Sequence, residues 1–244
     1  AMDGFAKLWQ DAGATDENPR PFIKLTLSRI VSICGIYREV SRSGETSIRL
    51  VSLPADASSA EQCQESAILK GLHRSLSDKR PQLVGFNSAR SDLPIIVNRS
   101  IVHGLDSHGW ATRPDKPWEG ADYFSTHGDY HVDLGPLLGW GQQMPRLHEI
   151  ATCSGIPGKI DVSGDSVAEL WLSGRIRDIV NYNEFDAFTT YLLWARAAHF
   201  ASLLDDDAYL AEQRLVEELL QEEIANGKEH LAAYLERWRE IRFG

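Results

Sequence analysis

The chain has 244 residues, a formal net charge of −10 and 43% hydrophobic residues, including 7 Trp and 8 Phe. This length fits one large domain, or one domain with an appendage, and the apolar content is enough for a sizeable core. The acidic balance disfavours a protein that coats duplex nucleic acid, although it does not exclude local contact through metal ions. With no long apolar run, no signal peptide and only three scattered cysteines, the sequence predicts a reducing, cytoplasmic environment.

The first half of the chain alternates strand and helix signals. Apolar β-branched residues in two stretches on either side of a polar turn predict a hairpin. Further along, a helix with Ser59 as its N-cap precedes a short buried strand and then a second helix. The predicted elements are a short amphipathic stretch at 5–10, hairpin strands at 25–37 and 47–53, a helix at 59–76, a strand at 81–86 and a helix at 92–102.

The second half of the chain is mainly helical after a loop at 104–130 that is rich in Gly, Trp, His and Asp. From Arg146 onward the pattern is helical, with Gly155 and Gly174 placed as C-terminal stops. A long helix is predicted over 175–203, and two charged helices over 205–243. Hairpin strands, then strand–helix alternation, then helices indicate an α/β or mixed layer architecture and not a helical bundle.

Tyr182 and Asp186 are the most informative pair in the predicted long helix. They are four residues apart, which puts both side chains on one face, one turn from each other. A phenol and a carboxylate held in this way suit a metal-bound hydrolytic water. Taken alone, however, the pair also fits a helix with a packed Tyr and a solvated Asp.

A second carboxylate signal follows the predicted strand at 81–86. Asp92 comes a few residues after this strand, and Asn87 leaves it directly. In an open α/β sheet, ligands bind at the carboxyl ends of the strands, so both residues are candidates for a site. The alternative is that Ser91 or Asp92 caps the helix that follows, with Pro94 in its first turn.

Together these motifs resemble those of the predicted 3′→5′ exonucleases related to the proofreading domain of family B DNA polymerases. The resemblance runs from about Phe22 to about Phe200. It rests on 27–33 (Leu-Ser-Arg-Ile-Val-Ser-Ile), 83–87 (Leu-Val-Gly-Phe-Asn) with 92–94 (Asp-Leu-Pro), 131–134 (His-Val-Asp-Leu), 155–159 (Gly-Ile-Pro-Gly-Lys), 167–170 (Val-Ala-Glu-Leu), 182–186 (Tyr-Asn-Glu-Phe-Asp) and 190–192 (Thr-Tyr-Leu).

This resemblance implies an RNase H-like mixed sheet flanked by helices and a DnaQ-like, DEDDy active site. In such a site four carboxylates hold two Mg²⁺ or Mn²⁺ ions, and a Tyr orients the attacking water. Two ions about 4 Å apart can activate the nucleophile and stabilise the leaving oxygen, and carboxylates are the ligands that Mg²⁺ requires. By this resemblance Asp92 and Asp186 are metal ligands, Tyr182 orients the water, and Asn87 contacts the substrate.

The chain departs from the family pattern in one respect, because no Asp-x-Glu occurs anywhere in it. In the family this motif lies on a first, central strand before the hairpin, so the sequence predicts a gap between the hairpin and the strand at 81–86. Either the natural protein begins further upstream and carries the strand, or this is a relative that has lost metal chemistry. A homodimer mate or a second chain could also fill the position, since an unpaired strand edge invites pairing.

The resulting prediction is a 3′→5′ exonuclease domain over 1–204 with a helical extension over 205–244 packed on the same domain. The substrate is single-stranded nucleic acid, with DNA favoured over RNA, and the chain as written is weak or inactive. The alternative is a non-catalytic module that binds nucleic acid or another protein. If the reading frame upstream of Met2 encodes an apolar run that ends in Asp-x-Glu, the enzyme is favoured. A stop codon close upstream would favour the non-catalytic module.

Other residues are weaker candidates. His and Asp alternate at 127, 129, 131 and 133, and on a strand all four would face one side and could ligate a metal. The resemblance instead favours a structural role for Asp133. Lys159 and Arg90 could meet substrate phosphates, and Trp110 and Trp118 could stack on unpaired bases. Loop aromatics more often cover a small satellite core.

Overall fold

A computed structural model describes residues 2–19, 21, 23–116, 118–125, 128–140, 142–158 and 167–243. Its elements confirm the mixed α/β class, with small sheets and many helices. In chain order they are α1 (Met2–Asp11), β1 (Ile33–Val40), β2 (Thr46–Leu53), α2 (Glu65–Lys79), β3 (Leu83–Gly85), α3 (Asp92–Val102), β4 (His131–Asp133), α4 (Leu134–Gly139), α5 (Leu147–Cys153), α6 (Val167–Leu172), α7 (Ile176–Phe200), α8 (Asp206–Ala225) and α9 (Leu231–Phe243).

The predicted hairpin forms, but its first strand starts later than the sequence suggested. β1 and β2 are antiparallel, with Ile33 opposite Leu53. Residues 25–27 form a 3₁₀ turn instead of strand. The reason lies in what the backbone bonds to, because the N–H of Ile30 donates to Glu65 and the carbonyl of Thr26 accepts from Arg99. This segment is therefore tied to α2 and α3 and not to a neighbouring strand.

Helix α2 also begins later than predicted. Ser59 accepts the N–H of Gln62 at 3.3 Å, so it stabilises a turn before the helix and is not its N-cap. Gln64 occupies the N-cap position, and the helix starts at Glu65. Helix α3, in contrast, spans 92–102 as predicted.

Two small sheets are present among the described residues. β1 pairs only with β2, while β3 pairs in parallel with β4, Leu83 lying opposite His131. No described strand joins the two sheets. That a further strand belongs between them stays a prediction.

Helix α7 lies at the centre of the main core. Its buried residues Phe188 and Leu192 share one apolar cluster with Leu220 of α8 and Trp238 of α9. Partly buried residues of both sheets pack against the same cluster, among them Ile36, Leu50, Val84 and Val132. Because both sheets and both C-terminal helices meet this one helix, α7 fixes their positions relative to each other.

The predicted helix stops have the expected backbone geometry. Gly155 after α5 has φ +68°, and Gly174 after α6 has φ +71°. In this left-handed region glycine meets no Cβ penalty, which is why it commonly follows the last residues of a helix. Within the described residues, no helix is both long enough and apolar enough to cross a bilayer.

Candidate active site

The carboxyl ends of β3 and β4 lie side by side, because the strands are parallel and Gly85 pairs with Asp133. The Asp133 carboxylate accepts the backbone N–H groups of Asn87 at 2.6 Å and of Ala89 at 2.9 Å. It also accepts the N–H of Gly135 at 3.1 Å and so caps the start of α4. Three amide donors on one carboxylate hold the turn after β3 in a single shape.

Two glycines permit the close packing of this turn. A Cβ on Gly85 would lie 2.3 Å from the hydroxyl oxygen of Ser88, and one on Gly135 would lie 3.0 Å from the backbone nitrogen of Asn87. The Ser88 hydroxyl is instead within 2.9 Å of His131 Nε2, which links the turn to β4 a second time. The turn is therefore held from both β4 and α4.

Asn87 stands at the start of this turn with φ +60°, a left-handed conformation that Asn adopts more readily than most residues. Its carbonyl accepts the N–H groups of Arg90 and Ser91. Among the described residues, the hydrogen bonds of Asn87 involve only its backbone. Its side-chain amide is therefore not used to hold the turn.

Asp92 is the first residue of α3. Ser91 occupies the N-cap position, as one of the sequence interpretations had it, but its side chain makes no capping hydrogen bond. The Ser91 hydroxyl lies 2.8 Å from the carbonyl oxygen of Asn87 and 3.0 Å from Oδ2 of Asp92, and its one proton can serve either.

The surroundings of the Asp92 carboxylate indicate a concave surface. The residue is exposed to solvent, yet enough protein surrounds it that desolvation raises its pKa. The nearby Asp133 carboxylate raises the pKa further, while the Ser91 hydroxyl and His131 act in the opposite direction. A carboxylate that is exposed and still desolvated is typical of a cleft, where binding sites are usually found.

Tyr182 and Asp186 lie in α7, one turn apart on the same face, and both are half-buried. The helix packs against β1 and against β3. Asp186 lies close enough to the buried Tyr234 for its charge to add to the effect of burial, which raises the pKa of that phenol. The sequence-predicted pair is thus carried by the helix that bridges the two sheets.

A buried cluster next to this pair was missed by sequence reasoning. Glu184 is 1% exposed, and its carboxylate accepts from Ser52 at 2.6 Å, Lys228 at 2.7 Å and His230 at 2.7 Å. Burial alone would raise the pKa of Glu184, but these three hydrogen bonds outweigh it and lower the pKa. The cluster ties α7 to β2 and to the segment between α8 and α9, and so holds the helix that carries Asp186.

The structure therefore groups the four predicted site residues as two pairs. Asn87 and Asp92 lie at the end of β3, and Tyr182 and Asp186 lie on α7, which packs on that strand. Within the described parts of the chain, no three His, Cys, Asp or Glu side chains are close enough to share a metal. Carboxylate oxygens are the right ligand type for Mg²⁺ or Mn²⁺, but two of them suit one weakly held ion and not a complete two-ion cage.

The alternating His and Asp residues do not form a row of ligands in the described structure. β4 covers only 131–133, so Asp129 lies before the strand, and position 127 falls outside the described residues. Asp133 instead accepts three backbone N–H groups, which is the structural role expected of it.

The two loop tryptophans have different environments. Trp110 is 3% exposed and donates to His73 Nδ1 at 2.8 Å, so it belongs to a satellite core and cannot stack on a base. Trp118 is 78% exposed, with Lys116 over its ring. Arg90 is exposed, and Lys159 lies outside the described residues. Phosphate contact by these two residues, and base stacking by Trp118, stay predictions.

A third tryptophan was not singled out from the sequence. Trp140 follows α4 directly, is 84% exposed and has φ +49°. Leu137, within α4, is 54% exposed as well. Because α4 packs through Gly135 on the backbone of Asn87, Trp140 follows a helix that is attached to the β3 turn. Nothing in the local sequence distinguishes Trp140 from the buried Trp110.

A fold of mixed small sheets and helices, with polar residues gathered at the carboxyl ends of parallel strands, defines an α/β protein with a candidate hydrolytic site. Comparison with family models gives a more specific result: residues 20–238 match the model described as "Predicted 3'-5' exonuclease related to the exonuclease domain of PolB". The chain belongs to this family. Among curated proteins, none matches it significantly.

Proposed function

We propose that this protein is the metal-binding part of a 3′→5′ exonuclease that acts on single-stranded nucleic acid, with DNA as its substrate. The observation that carries the proposal is the position of two candidate carboxylates, Asp92 after β3 and Asp186 on the helix that packs on β3. Membership of the exonuclease family supports the same chemistry.

The proposed roles follow from the chemistry of each side chain. Asp92 and Asp186 would hold Mg²⁺ or Mn²⁺, which when bound polarises the scissile phosphate and makes a bound water more acidic. Tyr182, one turn before Asp186, would orient the attacking water through its hydroxyl. The Asn87 side chain, which takes no part in holding the β3 turn, would donate to the substrate.

The exposed indole of Trp140 supports a single-stranded substrate. An unpaired base can stack on an exposed indole whatever its sequence, because every base has a π-face. A duplex would bury its bases and gain nothing from such an indole. Trp140 therefore suits the terminal unpaired nucleotides that a 3′→5′ exonuclease must hold.

The site as described supplies two carboxylates, and the full chain contains no Asp-x-Glu. We therefore propose that full activity needs an Asp-x-Glu motif that these 244 residues do not contain, on a strand placed between β1 and β3. Each of these strands pairs on one side only among the described residues, and α7 packs against both. An inserted strand could thus bond to both edges and lie over α7.

The alternative function is a non-catalytic module that binds nucleic acid or another protein. The same missing motif favours it, because a relative without these ligands could keep the fold while losing the chemistry. It predicts single-strand binding, or partner binding, that does not respond to divalent ions. The two functions therefore differ in a measurable property.

The test is digestion of a 5′-labelled single-stranded oligonucleotide, followed as a ladder that shortens from the 3′ end. We expect weak shortening in Mn²⁺, abolished by EDTA and by Asp92→Asn or Asp186→Asn. Asp178→Asn is the matched control, because Asp178 lies partly exposed in the first turn of the same helix and, among the described residues, forms an ion pair only with Arg175. Mn²⁺ binding measured by calorimetry should fall in the same two variants.

Two results would count against the exonuclease. One is activity that Asp186→Asn leaves unchanged, which would indicate a contaminating nuclease. The other is an absence of both Mn²⁺ binding and digestion, which would favour the binding module. Rapid digestion by the protein alone that is lost in Asp186→Asn would support the exonuclease function. It would at the same time refute the proposal that the site needs further metal ligands.

A further inference from the structure

Arg90 is a charged residue of the β3 turn that has no role in the proposed active site so far. It lies two residues before Asp92, so the Cα atoms of the two residues are at most about 7.6 Å apart. The turn beneath it is held in place, because the carboxylate of Asp133 accepts the N–H groups of Asn87 and Ala89. A group that binds Arg90 therefore lies near the candidate metal site.

The side chain of Arg90 is exposed. Its backbone N–H donates to the carbonyl of Asn87 at 3.3 Å, but its guanidinium forms no hydrogen bond or ion pair with any described residue. Asp92 is no exception, because desolvation raises the pKa of Asp92, whereas an adjacent guanidinium would lower it. The carboxylate of Asp92 and the guanidinium of Arg90 are thus available for two different ligands.

The turn also brings Asn87 and Arg90 together. The hydrogen bond from the N–H of Arg90 to the carbonyl of Asn87 closes a four-residue turn, in which the first and last Cα atoms lie less than about 7 Å apart. Among the described residues, the side-chain amide of Asn87 has no hydrogen-bond partner. An amide and a guanidinium therefore start from neighbouring points of one fixed turn, and both can bind a ligand.

The chemistry of a guanidinium favours phosphate as this ligand. Its planar N–H donors match the oxygens of a phosphate, and arginine keeps its positive charge at neutral pH. In a nucleic acid strand every phosphate is followed by another one nucleotide along. A strand that places its scissile phosphate at Asp92 and Asp186 therefore has a second phosphate near the β3 turn.

We propose that Arg90 binds the phosphodiester next to the scissile one, with the Asn87 amide as a second donor. This rests on the proposed function, because it takes the ions at Asp92 and Asp186 as the position of the scissile phosphate. Arg90 then selects for a polymer, since a nucleotide with a single phosphate cannot occupy the ions and Arg90 at once. The substrate class is an oligonucleotide and not a mononucleotide ester.

The first measurement is the salt dependence of single-stranded DNA binding, followed by fluorescence anisotropy in Ca²⁺. For a single strand, each phosphate contact contributes about −0.7 to the slope of log affinity against log salt. Arg90→Gln should weaken binding about tenfold at low salt and make the slope less steep by about 0.7. Arg90→Lys should keep the slope, because the charge remains, but lose part of the affinity with the bidentate geometry.

The second measurement locates the contact on the strand. Single linkages near the 3′ end of the oligonucleotide are replaced, one at a time, by an uncharged methylphosphonate. At the second-last linkage this replacement should weaken binding to the wild type about tenfold and have no further effect in Arg90→Gln, because the two changes remove the same contact. At linkages further from the 3′ end the two effects should add.

Arg214→Gln is the matched control. Arg214 is also exposed, but it lies on α8, which packs on α7, α9 and β2. This substitution removes the same charge from the protein, so it separates a direct contact of Arg90 from a change in net charge. It should leave the salt slope and the methylphosphonate profile as they are in the wild type.

The outcomes decide between the contact and the function on which it rests. A shallower slope in Arg90→Gln, coupled to the second-last linkage, supports the proposal. An unchanged slope, equal changes in Arg214→Gln, or an absence of single-strand binding would overturn it. If Asp186→Asn weakens binding in Ca²⁺ and Arg90→Gln does not, only the phosphate contact is wrong. If Arg90→Gln weakens binding and Asp186→Asn does not, Arg90 binds phosphate and the metal site is wrong.

Discussion

Asp133 accepts three backbone N–H groups, and this makes it a positioning residue for the candidate site. In Asp133→Asn the charge is lost and the amide has only one acceptor oxygen, so at least one of the three donors loses its partner. We expect a loss of about 2 to 4 kcal/mol in the free energy of unfolding, measured by urea titration. Nuclease activity should fall too, because the turn that carries Asn87 and Asp92 loosens.

Asp129→Asn is the control for this change. Asp129 is exposed just before β4, and its only described hydrogen bond uses its backbone carbonyl, which accepts from Gln82. The Asp129→Asn variant should match the wild type in its free energy of unfolding and in its nuclease activity. Equal effects of the two substitutions would show that general charge, and not the bonds of Asp133, matters at this edge.

Glu65 provides a second test at the scale of one residue. It is 3% exposed and accepts from Arg99, His103 and the N–H of Ile30. Burial alone would raise the pKa of Glu65, but these hydrogen bonds outweigh it and lower the pKa from 4.5 to about 2. Its stabilising contribution is therefore complete above pH 4.5 and is lost as the pH falls towards 2.

In Glu65→Gln the unfolding free energy at pH 7 should fall by about 2 to 3 kcal/mol, because Arg99 and His103 lose their carboxylate while keeping some solvent contact. The difference from the wild type should shrink between pH 4.5 and 2. Glu240→Gln, in an exposed pair with Arg237, should cost less than about 0.5 kcal/mol. A constant difference at all pH values would contradict the assigned role of the carboxylate.

Trp140 tests the substrate surface. If its indole stacks on an unpaired base, Trp140→Ala should weaken single-stranded DNA binding by about 1 to 3 kcal/mol, measured by fluorescence anisotropy. Phe200→Ala is the control, because Phe200 is 89% exposed at the far end of α7, about 21 Å along the helix from Asp186. Equal losses in the two variants would indicate nonspecific apolar contact.

At the scale of elements, sequence patterns predicted the helices well where local chemistry decides the boundary. The span of α3 and the stops at Gly155 and Gly174 depend on Pro, Asp and Gly preferences that act within a few residues. The predicted start of β1 was wrong because distant side chains decide it: Glu65 accepts the N–H of Ile30, and Arg99 donates to the carbonyl of Thr26. The predicted start of α2 was wrong because Ser59 closes a turn with Gln62 before the helix begins. No sequence pattern within residues 25–32 indicates that these backbone groups bond to Glu65 and Arg99.

The C-terminal helices belong to the main core. Leu220, Leu231 and Tyr234 are fully buried against α7, and Lys228 and His230 form hydrogen bonds with the buried Glu184. Removing residues 205–244 would expose this core and leave Glu184 without two of its partners. We expect the remaining chain to lose cooperative unfolding, because the lost burial exceeds a typical total stability of about 5 to 15 kcal/mol.

The measurement is near-ultraviolet circular dichroism with urea titration. Removal of residues 1–19 is the control, because none of the described elements packs extensively on α1 and the family match begins at residue 20. That shortened protein should keep a cooperative transition. If residues 1–204 fold cooperatively on their own, α8 and α9 are an independent addition to the core.

At the scale of the whole molecule, sequence reasoning predicted the family and nominated the two residue pairs, but not what holds them. The spacing of Tyr182 and Asp186 follows from helical geometry alone. The bonds of Asp133 and the Glu184 cluster join segments far apart in the chain, so they exist only after folding. Local pattern therefore identified the chemical groups, and tertiary packing decides which of them are buried, charged or exposed.

The net charge of −10 bears on how the protein binds single-stranded DNA. An acidic protein that binds an acidic polymer cannot rely on a broad basic surface. Its affinity for single-stranded DNA should depend on divalent ions at Asp92 and Asp186 and on few direct phosphate contacts. With about two to three such contacts, the slope of log affinity against log salt should be about −2, since single strands give about −0.7 for each contact.

The measurement is fluorescence anisotropy with a labelled oligonucleotide in Ca²⁺, which binds carboxylates of this kind, from low to physiological salt. EDTA should weaken binding in the wild type and have little effect in the Asp92→Asn, Asp186→Asn double variant. A steep slope with no response to EDTA would instead indicate an unrecognised basic surface. In that case binding would not pass through the two carboxylates, and the non-catalytic binding module would be the better account of the protein.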